Sequence, residues 1–200
     1  WVMETPQVSL EDDKGHTNLL RAGSLVALFS PLHKRFIRLL NESVDAHGGP
    51  MEFDDLPLYG PDRWTSELFT VVDVGKGEIA LHSPWHGRFV RMDGERVDAL
   101  GGTMRSDELP EWWRRERFTV VDAGDGLVAL HSSQENRFVR MDDKEGVDAK
   151  GGVKDAGQLP ADWEWERFRV RVVTVEELNK LAEEPCRLCG TRGYVQHKCR

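Results

Sequence analysis

The cysteines of this chain stand together near its C-terminus, as Cys186, Cys189 and Cys199, with His197 two residues before the last. A CxxC pair followed by HxC offers three thiolates and an imidazole, a donor set that can wrap a tetrahedral Zn2+. The intervening Gly190, Thr191, Arg192 and Gly193 would supply the tight turn between the two ligand pairs. Four protein ligands leave no open position for water, so the expected cofactor is one structural Zn2+. A tail with free thiols and a CxxC redox pair stay open as alternatives. The rest of the chain lacks cysteine, which argues against a disulfide framework.

His82 with Ser83, and again His131 with Ser132, place a base next to a hydroxyl. The corresponding position earlier in the chain is Phe29, and no acid at suitable spacing completes a triad. A slot that takes His or Phe is expected to be a semi-buried aromatic niche, with ligand contact by His82 and His131 as the functional alternative. Arginines recur in pairs, Arg35 and Arg38, Arg88 and Arg91, Arg137 and Arg140. Three steps along a strand invert the face, so the members of each pair point opposite ways. One set is expected to form ion pairs with Asp45, Asp98 and Asp148, or with Asp73 and Asp122. The alternative is a threefold set of anion or sugar contacts from Arg38, Arg91 and Arg140. Trp85, in the turn Pro84-Trp85-His86-Gly87, is a candidate sugar platform, whereas the recurring Trp64, Trp113 and Trp163 are expected to pack at a barrel end. Signatures of metalloprotease, serine hydrolase, phosphate-loop and dinucleotide sites are absent, and the chain is read as non-enzymatic.

These residues sit on a sentence written three times. Phe36, Phe89 and Phe138 mark it, as do the glycine pairs beginning at Gly48, Gly101 and Gly151, with a period of about 50 residues. An insertion around Tyr59 to Asp62 and another around Asp142 to Gly146 fall in turn-rich stretches, where length changes are tolerated. Within each copy apolar residues alternate, as at Ile79 and Leu81, Val90 and Met92, and Phe118 and Val120. Such runs, rich in Val, Phe and Thr and bounded by Gly, Asp and Asn, predict about four short strands per copy and roughly twelve in all. Val74 to Gly77 and Ala123 to Gly126 read as hairpin tips, as does Asp93 with Gly94. Open sheet edges invite aggregation, and three units are fewer than propellers use. The predicted architecture is all-β, a β-trefoil of three four-stranded repeats.

The order Val-Ala-Leu-His-Ser, a polar turn, Arg-Phe-Val-Arg, Val-Asp-Ala, then Trp and Phe ahead of a Thr-Val-Val strand resembles the fascin-like, actin-crosslinking β-trefoil superfamily over about residues 24–173. Trp165, Glu166, Arg167 and Phe168 look like that family's Trp-Glu-x-Phe lead into the fourth strand, with Arg115 in place of this Trp in the second copy. The resemblance implies a protein-binding module with actin filaments as first partner and a cytoplasmic, cytoskeletal location. The competing expectation is a carbohydrate-binding module or an appended domain of a larger enzyme; Asn41-Glu42-Ser43 is a sequon that would fit a secreted setting. The Gln-x-Trp of ricin-type lectin trefoils is missing from every copy.

The expected organisation is an N-terminal extension over 1–22, the repeats over about 24–73, 77–122 and 126–173, and a helix with the CxxC/HxC tail over 174–200. Thr174 to Glu177 reads as a capping box before a short helix that ends at Pro185. With 39% hydrophobic residues and a net charge of -8, the body is a poor partner for duplex nucleic acid. No apolar run approaches the roughly 18 residues of a membrane span, and Trp1 to Gln7 is not of signal type.

Overall fold

A computed structural model describes residues 20–58 and 65–183. The all-β expectation holds: two antiparallel sheets account for nearly all regular structure, with one helix and two 3-10 turns among the described residues. Trp64, the Tyr59 to Asp62 insertion and the four cysteine and histidine residues of the tail lie outside them.

The first sheet is built from β1 (Leu25–Ser30), β5 (Phe69–Asp73), β6 (Glu78–Ser83), β10 (Phe118–Gly124), β11 (Leu127–Ser132) and β15 (Phe168–Val172). β1 pairs with β5, β5 with β6, β6 with β10, β10 with β11, β11 with β15, and β15 returns to β1. The pairing closes on itself, leaving these six strands with no free edge. Short strands β2 (Arg35–Phe36), β7 (Arg88–Phe89) and β12 (Arg137–Phe138) add to β1, β6 and β11.

The second sheet contains β3 (Arg38–Leu40) with β4 (Ser43–Asp45), β8 (Arg91–Asp93) with β9 (Arg96–Asp98), and β13 (Arg140–Met141) with β14 (Val147–Asp148). Single register contacts tie the three hairpins together, Ser43 to Asp98 and Arg96 to Asp148, and an Asp45–Gly146 bridge completes the triangle. The hairpins form a cap whose Val44, Val97, Met92 and Met141 join the ring's Val26, Leu28, Phe69, Leu81, Phe118 and Phe168 in one buried core.

The described residues hold fifteen strands because the second strand of each copy breaks in two. Ile37, Val90 and Val139 donate their N–H groups back to Leu28, Leu81 and Leu130 in the ring. Two residues on, Leu39, Met92 and Met141 donate instead to the carbonyls of Ser66, Arg115 and Trp165. The strand changes partner as it leaves ring for cap, and a sequence pattern of period two carries no sign of that exchange.

Hairpin tips form where expected. Gly75, Lys76 and Gly77 all take positive φ, as do Gly124, Asp125 and Gly126, a conformation glycine adopts without steric cost. Asp73 and Asp122 do not pair with arginine; each accepts from a backbone N–H two residues on, Gly75 at 2.8 Å and Gly124 at 2.9 Å. After β15, Thr174 Oγ1 accepts from Glu177 N while Glu177 Oε2 accepts from Thr174 N, the reciprocal capping box that opens α1 (Val175–Glu183). No helix of the described residues is long and apolar enough to cross a membrane.

Candidate functional site

The recurring charges meet at the junction of ring and cap. Arg38 and Asp45, Arg91 and Asp98, and Arg140 and Asp148 are directly opposite one another in their hairpins. Each arginine Nε stands 2.5 Å from its aspartate Oδ1, and each Nη2 reaches the second oxygen. Cross-strand register thus creates three two-pronged pairs. Burial alone would raise Asp45 and Asp148, but the guanidinium and the backbone N–H groups of His47 and Lys150 hold both below the usual aspartate value.

The other arginines join one copy to the next. Arg35 bonds Glu145 at 2.7 Å, Arg88 bonds Glu42 at 2.9 Å and Arg137 bonds Glu95 at 3.4 Å. Their Nη1 groups donate to the carbonyls of Ala46, Ala99 and Ala149 in their own copies. The same three glutamates accept backbone bonds from those alanines' N–H groups through their carbonyl oxygens, again across copies. Nothing in the linear spacing of Arg35 and Glu145 signals this contact, which exists only once the triangle closes.

A third charged set was not singled out from sequence. Glu67, Glu116 and Glu166, 4%, 4% and 3% exposed, stand two residues before the first residue of ring strands β5, β10 and β15. Burial pushes the Glu67 carboxyl up to about 7, opposed by its own backbone N–H and by Arg38. Glu116 and Glu166 are also raised by burial, and Arg91 and Arg140 oppose it there. The Trp-Glu-x-Phe motif held one of these glutamates; its Glu-x-Phe part, shared by all three copies, was the available signal. The first glycines of the second and third pairs complete the setting: a Cβ on Gly101 would stand 2.7 Å from the Trp113 ring, and one on Gly151 only 2.5 Å from Glu166 Oε1.

His82 and His131 occupy buried aromatic niches. They stand opposite Phe89 and Phe138 in the strand register, with ring centroids 4.8 Å apart in both pairs. Phe29 fills the same place against Phe36 at 4.9 Å. His82 Nε2 lies 2.9 Å from the Met104 carbonyl and His131 Nε2 lies 2.8 Å from that of Lys154, so each Nε2 carries the proton and donates. Burial lowers the His82 pKa, against the opposing effect of its bond to Met104. Ser83 and Ser132 are buried too, and Ser132 Oγ accepts from Glu135 N; neither serine is bonded to its neighbouring histidine.

Trp85 packs on the cluster containing Leu25, Phe29 and Phe36. Trp165 is covered by Arg140, whose guanidinium carbon is 4.9 Å from the ring centroid, and by the edge of His33. Arg115, at the equivalent place in the second copy, bonds Asp93 at 3.1 Å. The structure therefore brings Arg38, Arg91 and Arg140 to one triangular cap, and leaves His82, His131 and Trp85 outside it.

At the middle of the cap lies an open depression of ≈ 410 Å³ lined from all three copies, by Ser43 and His47, by Glu95 and Arg96, and by Asp142 and Lys150 among others. Among the described residues no group of three His, Cys, Asp or Glu side chains is placed to hold a metal ion. No protein-family model matches the chain, and a search of curated proteins also finds no match.

Proposed function

We propose that residues 23–173 form a β-trefoil of the fascin-like kind and act as a non-catalytic binding module, with a protein partner and filamentous actin as the first candidate. One observation supports it above others: six strands pair in a closed cycle beneath three hairpins joined in a triangle. That is the arrangement a triplicated four-stranded unit needs to bury a common core. The repeated arginines are engaged with aspartates inside each hairpin and with glutamates that join one copy to the next. Binding would then fall to surface residues that differ between copies. Such a module fits a cytoplasmic, cytoskeletal setting. Co-sedimentation with actin filaments tests the first candidate; protein that stays in the supernatant at filament concentrations up to about 100 μM removes it.

A carbohydrate ligand is the second reading, and Trp112 favours it. Its indole is 78% exposed beside exposed Glu111, an aromatic face with a neighbouring carboxylate on which a sugar ring could stack. A glycan array with the native protein and Trp112→Ala separates the two readings: signals that survive the substitution exclude this platform.

The tail completes the proposal. Cys186, Cys189, His197 and Cys199 would bind one structural Zn2+, with thiolate and imidazole as the donors. Metal analysis of the purified chain, paired with thiol titration, decides it. Less than about half an equivalent of zinc with every thiol reactive rejects the site.

A further inference from the structure

We infer that the depression at the centre of the cap binds a small phosphate-bearing solute, using Arg96, Lys150 and His47, one side chain from each copy. Two features of the site lead there. The first is the arrangement of charge around it. Each cap aspartate meets two basic groups: Asp45 meets Arg38 and His47, Asp98 meets Arg91 and Arg96, and Asp148 meets Arg140 and Lys150. One carboxylate neutralises one cation, and the less exposed arginine of each set is the two-pronged partner.

Arg96 and Lys150 remain as cations beyond that pairing, and His47 adds imidazole nitrogens for hydrogen bonding. Arg96 and Lys150 are 58% exposed and His47 is 53% exposed. Of the surrounding acids, Glu95 is engaged by Arg137, Glu145 by Arg35 with His47 at 3.8 Å, and Asp93 by Arg115 and Arg91 as well as by Arg96. Asp45, Asp148 and Glu95 also line the depression and are held by Arg38, Arg140 and Arg137, which leaves Asp142 as the opposing carboxylate; its Oδ1 accepts the backbone N–H groups of Lys144 and Gly146.

The second feature is broken symmetry. Val44, Val97 and Val147, like Asp45, Asp98 and Asp148, are identical in the three copies because they hold the cap together. Flanking positions are not: Ser43, Arg96 and Gly146 precede the valines, and His47, Leu100 and Lys150 follow the aspartates after an alanine common to all three copies. Packing three copies requires no such variety. A single asymmetric solute at the axis would use it, with a forked guanidinium, a compact ammonium and an imidazole converging from different sides. The volume of ≈ 410 Å³ lies at the low end of small-molecule sites, roughly 300–1,000 Å³.

Isothermal titration with inorganic pyrophosphate and with glucose 6-phosphate, at constant ionic strength in chloride, tests this inference. It is separate from filament or glycan binding, because neither filament nor array is present. Saturable binding tighter than about 1 mM is expected, and Arg96→Gln with Lys150→Gln should weaken it about tenfold or more. Ser43→Asp keeps every aspartate pair and adds a negative charge to the lining, so it should weaken binding without disturbing the fold. Lys76→Gln with Arg105→Gln removes the same charge at residues outside the lining and should change affinity less than about twofold. Equal weakening by that control pair, or no saturable binding of either phosphate, overturns the inference. Capture by vesicles of phosphatidylcholine with phosphatidic acid, without binding of the soluble phosphates, also overturns it in favour of a membrane headgroup.

Discussion

Glu67 shows how one buried side chain makes stability depend on pH. Its ordinary value of 4.5 is raised to about 7 by burial, so between those values the folded chain holds a proton that the unfolded chain releases. Stability from this group is complete below about pH 4.5 and falls as pH rises through 7. A shift of that size corresponds to an order of 3 kcal/mol. Glu67→Gln cannot ionise, so its stability relative to the native protein should rise by about 2–3 kcal/mol between pH 5 and pH 8 in urea unfolding. A constant difference across that range would mean that Glu67 is ionised throughout. Glu116 and Glu166 add to the same trend, since both are raised by burial.

His131 offers a different test at the same scale. Phe29 already fills the equivalent niche, so His131→Phe should keep the ring contact with Phe138 and lose the bond to Lys154 O. The lost bond costs about 1 kcal/mol, offset by no longer burying the unpartnered Nδ1. His131→Ala, which empties the niche, should cost about 2–4 kcal/mol. Chemical denaturation of the two variants checks this; equal losses would show that the imidazole hydrogen bond, not the packing, holds the site. The interchange of His and Phe was legible in the repeat, but the Lys154 carbonyl that selects the histidine tautomer was not. That acceptor is 23 residues away in sequence.

At the level of elements, the strands and hairpin tips followed from alternating hydrophobicity and from glycine placement, and the helix start followed from its capping box. What the pattern left out was the break in each second strand, because alternation continues across Ile37, Val90 and Val139 while the hydrogen-bond partner changes. The glycine pair of each copy is a second element-scale constraint. Gly151 has no room for a methyl group, since its Cβ would press on Glu166 and Trp163, whereas Gly157 has nothing within 4 Å. Gly151→Ala should therefore cost about 1–3 kcal/mol through overpacking. Gly157→Ala should stay within about 0.5 kcal/mol of the native protein. Thermal unfolding of the two variants makes the comparison, and similar midpoints would contradict the tight seat of the Trp163 loop.

For the whole molecule, closure is the property that matters. β1 needs β15 and β10 needs β11 for the ring to have no free edge. A chain ending at Gly124 loses both partners and exposes the core around Val26, Leu28 and Phe118. It should show no cooperative thermal transition by calorimetry, and a sharp transition at the native midpoint would mean that two copies suffice. Non-local pairing of this kind supports folding only after all three copies are present.

The amino-acid order by itself determined the triplicate unit, its β-rich character, the location of its tips and which arginines recur. These are local or periodic properties, set by side-chain alternation and by the conformational needs of turns. Tertiary structure decided the partners: Arg35 with Glu145, Arg88 with Glu42, Arg137 with Glu95, and the convergence of Arg96, Lys150 and His47 on one depression. Those contacts depend on chain closure and on the register between distant strands, so residues far apart along the chain acquire a shared charge environment only when the three hairpins meet.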